Sequence, residues 1–123
     1  MAHIRATITG IPYPRNKTRG NLDAPKEWTE AVVQNTAHLP KIKDACLLRI
    51  TYMLPRSHIP MDYPFGTDLD NLNKRFLDGL CRTVFSDARG KDSCVVAMET
   101  MKVIVDTKEE AGAHIEILPI TTA

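Results

Sequence analysis

No apolar run in this chain of 123 residues is long enough to cross a bilayer, and His3 and Arg5 interrupt the amino terminus where a secretory signal needs its apolar stretch. These absences imply a soluble, cytoplasmic protein with no membrane partner. Paired cysteines are missing as well. Cys46, Cys81 and Cys94 are odd in number, lie in apolar contexts and never form a Cys-x-x-Cys spacing, so they read as reduced core residues and not as zinc ligands or disulfide partners. His3, His38, His58 and His114 are scattered, which leaves no histidine metal motif and no nucleophile triad to propose. There is no glycine-rich phosphate cradle, no internal repeat and no low-complexity tract. Strong charge of either sign is lacking too: a net +1 supplies no independent argument for a nucleic-acid binder.

What remains is the pattern of one small domain covering residues 1–123. Residues 3–9 alternate Ile4, Ala6 and Ile8 against polar neighbours, a half-buried strand. A loop rich in Pro, Gly and charge follows, over 10–24. Pro25 suits a first helical turn, and Trp28, Ala31 and Val32 give a modest apolar face to about Leu39, before Pro40. Residues 46–54 read as a strand ended by Pro55, 58–65 as a loop, 67 to about 84 as a helix, 94–105 as a strand, 106–112 as a turn and 113–118 as a last strand. The order βαβαββ predicts an α/β sandwich, a small mixed four-stranded sheet with two helices.

The densest chemistry lies in Thr67-Asp68-Leu69-Asp70-Asn71-Leu72-Asn73-Lys74. At 100° per residue, Leu69, Leu72, Phe76, Leu77, Leu80 and Val84 fall on one arc, while Asp70, Lys74 and Asp78 line the opposite one. Thr67 with Asp70 fits a capping box, and acids complement the helix dipole. That bland reading has no need of Asp68 or Lys74. If Asp68 lies just outside the helix in extended geometry, its carboxylate can converge with that of Asp70 and invite a compensating cation. On spacing alone the two readings stand about equal. An EF-hand loop is excluded, because Leu72 and Gly79 occupy positions where it needs an oxygen ligand and an acid.

Asp68-Leu-Asp70-Asn-Leu-Asn-Lys74, then Phe76, Asp78 and Leu80, and after a loop Asp92-Ser93-Cys94-Val95-Val96, resembles the core signature of the RusA family of Holliday-junction resolvases. Ile11-Pro12-Tyr13-Pro14-Arg15-Asn16 is similar to that family's proline-rich turn after its first strand. The resemblance implies the same α/β architecture and a magnesium-dependent endonuclease, with manganese as a substitute, that resolves four-way DNA junctions in recombination and repair. It also implies a bacterial or prophage origin.

Hydrolysis of a phosphodiester needs charge neutralised on the phosphate, a water activated and the leaving oxygen stabilised, work that magnesium does on aspartate oxygens. Asp68, Asp70 and Asp92 are the expected metal ligands and catalytic acids, with Asp92 preferred over Asp87 because it directly precedes a β-rich run. Lys74 is expected to face the scissile phosphate or leaving group, although by pattern alone it pairs with Asp70 and Asp78 at i, i+4. Asn71 is either a ligand-orienting amide or a surface one, Asp78 a structural acid beside Lys74 and Arg82, and Glu99 a weak candidate for outer support. Arg15, Lys17, Arg19, Lys74, Arg75 and Lys91 are the expected DNA-phosphate contacts. Two cuts related by two-fold symmetry imply a homodimer. The competing readings are a non-catalytic nucleic-acid-binding module that keeps the fold, and an enzyme acting on another phosphate ester.

Overall fold

A computed structural model describes residues 3–13, 23–56 and 68–120. The elements run β1 (Ile4–Thr9), α1 (Ala24–Thr36), β2 (Cys46–Pro55), α2 (Leu69–Leu80), β3 (Val95–Val105) and β4 (Gly112–Pro119), with a 3-10 turn at Lys91–Cys94 before β3. The four strands form one mixed sheet in the order β1-β4-β2-β3. β4 runs antiparallel to both neighbours, and β2 and β3 are parallel. The βαβαββ reading and its mixed four-stranded sheet with two helices therefore hold.

Strand alternation decides which face is covered. Cys46, Leu48, Ile50, Tyr52 and Leu54 of β2, Ala113, Ile115 and Ile117 of β4, and Ile4 and Ile8 of β1 all point to the helices and are buried. The other face is mixed: Leu47, Met53, Met101 and Leu118 lie there beside polar contacts, with Arg49 Nε on Glu99 Oε2 at 2.9 Å, His3 Nε2 on Glu116 Oε2 at 2.9 Å, and Thr7 Oγ1 on His114 Nδ1 at 3.1 Å. Both helices therefore pack on one side. Gly112 faces Thr9 across the first ladder, where a Cβ would run into the Ile8 carbonyl oxygen, so only glycine lets these strands approach.

α1 buries Trp28, Val32 and Thr36 at intervals of four residues, and α2 buries Leu72, Phe76 and Leu80 the same way. Phe76 sits between them, edge-on to Tyr52 with ring centroids 5.8 Å apart and tilted against Trp28 at 6.2 Å. Burying each such α2 side chain is worth about 2 kcal/mol, more than any single cap, so this stripe fixes where α2 lies. Both helices stop short of the expected ends. After Thr36, Leu39 N donates to the Thr36 carbonyl, and after Leu80 the chain turns through three-residue steps in which Arg82 N donates to Gly79 O and Thr83 N to Leu80 O. A buried hydroxyl pair, Thr36 Oγ1 to Thr83 Oγ1 at 2.7 Å, ties the two ends together, and Val84 and Phe85 enter the core from the turn and not from a helix. No helix among the described residues is long and apolar enough to cross a membrane.

Candidate active site at the start of α2

Asp68 is the N-cap of α2. Its backbone is extended at φ −90° and ψ 157°, and its Oδ1 accepts the Asn71 amide at 2.9 Å while Oδ2 lies 3.4 Å from Asn71 Nδ2. This is the extended geometry just outside the helix that the sequence left open. Capping does not exhaust this carboxylate, because two hydrogen bonds leave further lone pairs able to meet a cation or water. Asn71 has a definite task here, holding Asp68. Thr67 lies outside the described residues.

Rotation of α2 follows from its contacts. Gly79 packs on Val32, and Arg75 Nη1 donates to Thr29 Oγ1 at 2.8 Å and to the Pro25 carbonyl at 3.2 Å, so that side faces α1. Phe76 and Leu80 face the sheet. At 100° per residue, Asp70 then falls on the flank away from α1, the side where β3 lies, with Lys74 next to it toward solvent. Both are exposed. Among the described residues Lys74 forms no ion pair with Asp70 or Asp78, so the i, i+4 bridge that would have consumed its charge is not made. Tyr52 Oη donates to Asn73 Oδ1 at 2.8 Å and pins the first turns of α2 to β2; burial pushes the Tyr52 phenol far above its ordinary range. Nothing in the sequence marked Tyr52 or Asn73, although their pairing sets the height of the acids over the sheet.

Asp92 stands elsewhere. It lies within the Lys91–Cys94 turn and not at the head of β3, and its backbone is in hydrogen-bonding contact with the thiol of Cys81, the residue that ends α2. The helix of 12 residues, about 18 Å long, separates that end from Asp68, and Asp70 lies in its first turn. Gly90 at φ 73° and Lys91 at φ 56° are both left-handed and turn the chain into this position. The aspartates expected to form one ligand set are therefore split within a single chain, two at one end of α2 and one at the other. Among the described residues no three His, Cys, Asp or Glu side chains gather into a metal-holding group. Asp87, also exposed, belongs to the turns at the Asp92 end.

Other expected roles shift with this geometry. Arg75 stitches α2 to α1, which directs its guanidinium toward Thr29 and the Pro25 carbonyl. Lys91 Nζ donates to the Ser86 carbonyl at 2.7 Å, at the Asp92 end. Glu99 pairs with Arg49 on the other face, across the sheet from α2, and gives the acids no outer support. Asp78 is exposed and makes no ion pair with Lys74 or Arg82 among the described residues. Arg15, Lys17 and Arg19 lie outside the described residues. The cysteines are free, as expected: burial pushes the Cys46 thiol up to about 12, helped by the adjacent Cys94, and raises Cys81 and Cys94 in the same direction.

No family model matches the sequence, and no curated protein matches it. The fold itself supplies a βαβ unit whose helix starts with Asp68 as its cap and Asp70 in its first turn.

Proposed function

We propose that this chain is a magnesium-dependent, structure-selective endonuclease of RusA type that resolves four-way DNA junctions by phosphodiester hydrolysis, acting in the cytoplasm in recombination and repair. One observation carries the reading: Asp68, the N-cap in extended geometry, and Asp70, in the first turn of α2, are both exposed, and Lys74 one turn further on forms no ion pair among the described residues. The edge also lies outside the carboxyl end of the parallel pair β2 and β3, where open α/β sheets gather their ligands. Magnesium is bound through one or two carboxylates with waters and substrate phosphates completing the shell, so this donor set fits it. Bound there, the ion would neutralise the phosphate and acidify a water. Asp70 supplies an open carboxylate, Asp68 one oriented by Asn71, and Lys74 a charge-assisted hydrogen bond for the phosphate or leaving oxygen. Tyr52 and Asn73 hold the platform.

A second reading, a non-catalytic nucleic-acid-binding module, draws on the cap made by Asp68 and on the distance to Asp92. Incubating the protein with a four-way junction, a linear duplex and a single strand, each with magnesium and with chelator, separates the two. Cleavage confined to the junction and to magnesium is expected; binding without cleavage in magnesium or manganese would favour the module.

A further inference from the structure

Cys46 opens β2, and Cys94 closes the 3-10 turn that delivers β3. Cys46 lies opposite Val95, so Cys94 is one residue away from that rung. Neighbouring strands lie about 4.8 Å apart and successive Cα atoms about 3.8 Å, which sets the two cysteine Cα atoms about 6 Å apart, inside the disulfide window. In a fully extended strand, alternation would send the Cys94 side chain to the face opposite Cys46. The turn prevents this. Val95 N still donates to the Asp92 carbonyl, so Cys94 keeps the turn's geometry, and the thiols of Cys94 and Cys46 are hydrogen-bonded to each other. Cys46 is fully buried, and Cys94 packs half-buried against the same core.

This end of the sheet is its weak point. Cys46 and Leu47 stand opposite Val95 and Ala97, so Val96 is an extra residue that breaks the ladder, and its side chain is exposed. The rung of Cys46 and Val95 is thereby cut off from the continuous pairing of 47–55 with 97–105. The turn beyond it is held by local bonds such as Lys91 N to Ala88 O, Ser93 N to Gly90 O and Lys91 Nζ to Ser86 O. A segment tied in this way opens more readily than the interior of a sheet.

We infer that Cys46 and Cys94 are a redox latch: a hydroperoxide converts them to a disulfide that fastens the turn bearing Asp92 to the first residue of β2, and a dithiol reductant releases it. The latch goes beyond the nuclease reading and does not depend on it.

Cys94 reacts first, because it is the partly exposed member of the pair. Its sulfur attacks one peroxide oxygen; the S–O bond forms, the O–O bond breaks, and the thiol proton leaves with the departing alcohol or water. The Cys46 sulfur then attacks the Cys94 sulfur, forming the S–S bond and breaking S–O, and its proton leaves in a second molecule of water. Two sulfurs are oxidised and one peroxide is reduced. Burial raises both thiols above their ordinary range, which makes the pair slow and responsive to sustained oxidant. The Cys81 thiol meets the Asp92 backbone instead of a sulfur and stays outside the pair.

Treating the full chain with hydrogen peroxide decides the matter. After denaturation without reductant, an alkylating reagent should label one thiol where the untreated protein offers three. Non-reducing tryptic digestion should yield residues 44–49 joined to residues 92–102, and dithiothreitol should separate them. Cys81→Ser should give the same joined peptides and Cys94→Ser should give none. Three thiols left free, sulfinic acid without a cross-link, or Cys81 in the bond would overturn the pairing. The latch itself is read by trypsin acting on the native protein at Arg89 and Lys91, both exposed in the turns before β3. Cutting there should slow at least about five-fold in the oxidised protein and recover on reduction, with no such change in Cys94→Ser. Thermal unfolding of the oxidised chain should also rise by about 10 °C, because the bond closes a long loop in the unfolded state. Equal cutting rates before and after a confirmed cross-link would overturn the latch.

Discussion

Asp68 caps α2, the proposed function gives the same carboxylate a second duty, and substitutions can separate the two. An asparagine keeps an oxygen for the Asn71 amide 2.9 Å away, whereas alanine removes it. Asp68→Ala should cost about 1 kcal/mol in urea unfolding and Asp68→Asn only a few tenths, while both abolish cleavage. Equal cleavage by Asp68→Asn and wild type would make the residue a cap alone. Lys74 has no such structural duty, so Lys74→Gln should leave unfolding within about 0.5 kcal/mol and slow cleavage ten-fold or more; an unchanged rate would remove it from the chemistry. Cys46 offers a pH test. Its thiol moves from 9.0 to about 12 on folding, so it leaves stability untouched below pH 9. Above that the unfolded chain releases a proton that the native chain retains, and stability falls as pH rises toward 12. Urea midpoints compared at about pH 8 and about pH 11 should drop more in wild type than in Cys46→Ala, and equal drops would contradict the buried neutral thiol.

At the scale of elements, the packing of α1 on α2 depends on Gly79, where a Cβ would stand 2.9 Å from Val32 Cγ1. Gly79→Ala should gain up to about 1 kcal/mol of helix propensity and still lose stability, by about 1–3 kcal/mol from overpacking. Adding Val32→Ala should recover part of that loss, a coupling that a double-mutant cycle by urea unfolding reads; strict additivity would contradict the contact. Both helices and all strands were legible in the sequence because their apolar periods, about 3.6 for Leu72, Phe76 and Leu80 and about 2 for Ile4, Ile8 and the β2 series, come from local geometry. Helix ends were less so: 81–84 keep helical spacing, but Thr83 is held by Thr36, a contact across 47 residues that no local pattern carries. The extended Asp68 could be anticipated from two adjacent capping candidates. The position of Asp92 could not, since it depends on two left-handed residues, one of them Lys91, and on Cys81, which reads as plain core. The partners of Arg75 were hidden for the same reason: a charge beside an acidic motif looks like a phosphate contact, and only the packed helices bring Thr29 to its Nη1.

For the molecule as a whole, the two faces of the sheet divide the labour. One is filled by the helices and makes the core; the other mixes apolar side chains such as Leu47, Met53 and Met101 with ion pairs at its surface. Exchanging Arg49 for alanine should therefore change stability by less than about 1 kcal/mol in thermal unfolding, and a larger loss would show that this face is not solvated. The residues proposed for chemistry sit at the ends of the βαβ unit and not on either face of the sheet. Net charge of +1 gives little long-range attraction for DNA, so the proposed function requires affinity from local contacts near α2 that falls with added salt. The most direct measurement of the central claim follows Asp70→Asn and wild type together, with single-turnover cleavage of one four-way junction at saturating magnesium and binding to the same junction in chelator. Cleavage should fall by about a hundred-fold or more while binding stays equal or tightens, because a carboxylate near phosphates repels them when no metal is present. Wild-type cleavage by a folded Asp70→Asn, or joint loss of binding and folding, would contradict the assignment of this edge as a metal-dependent nuclease site.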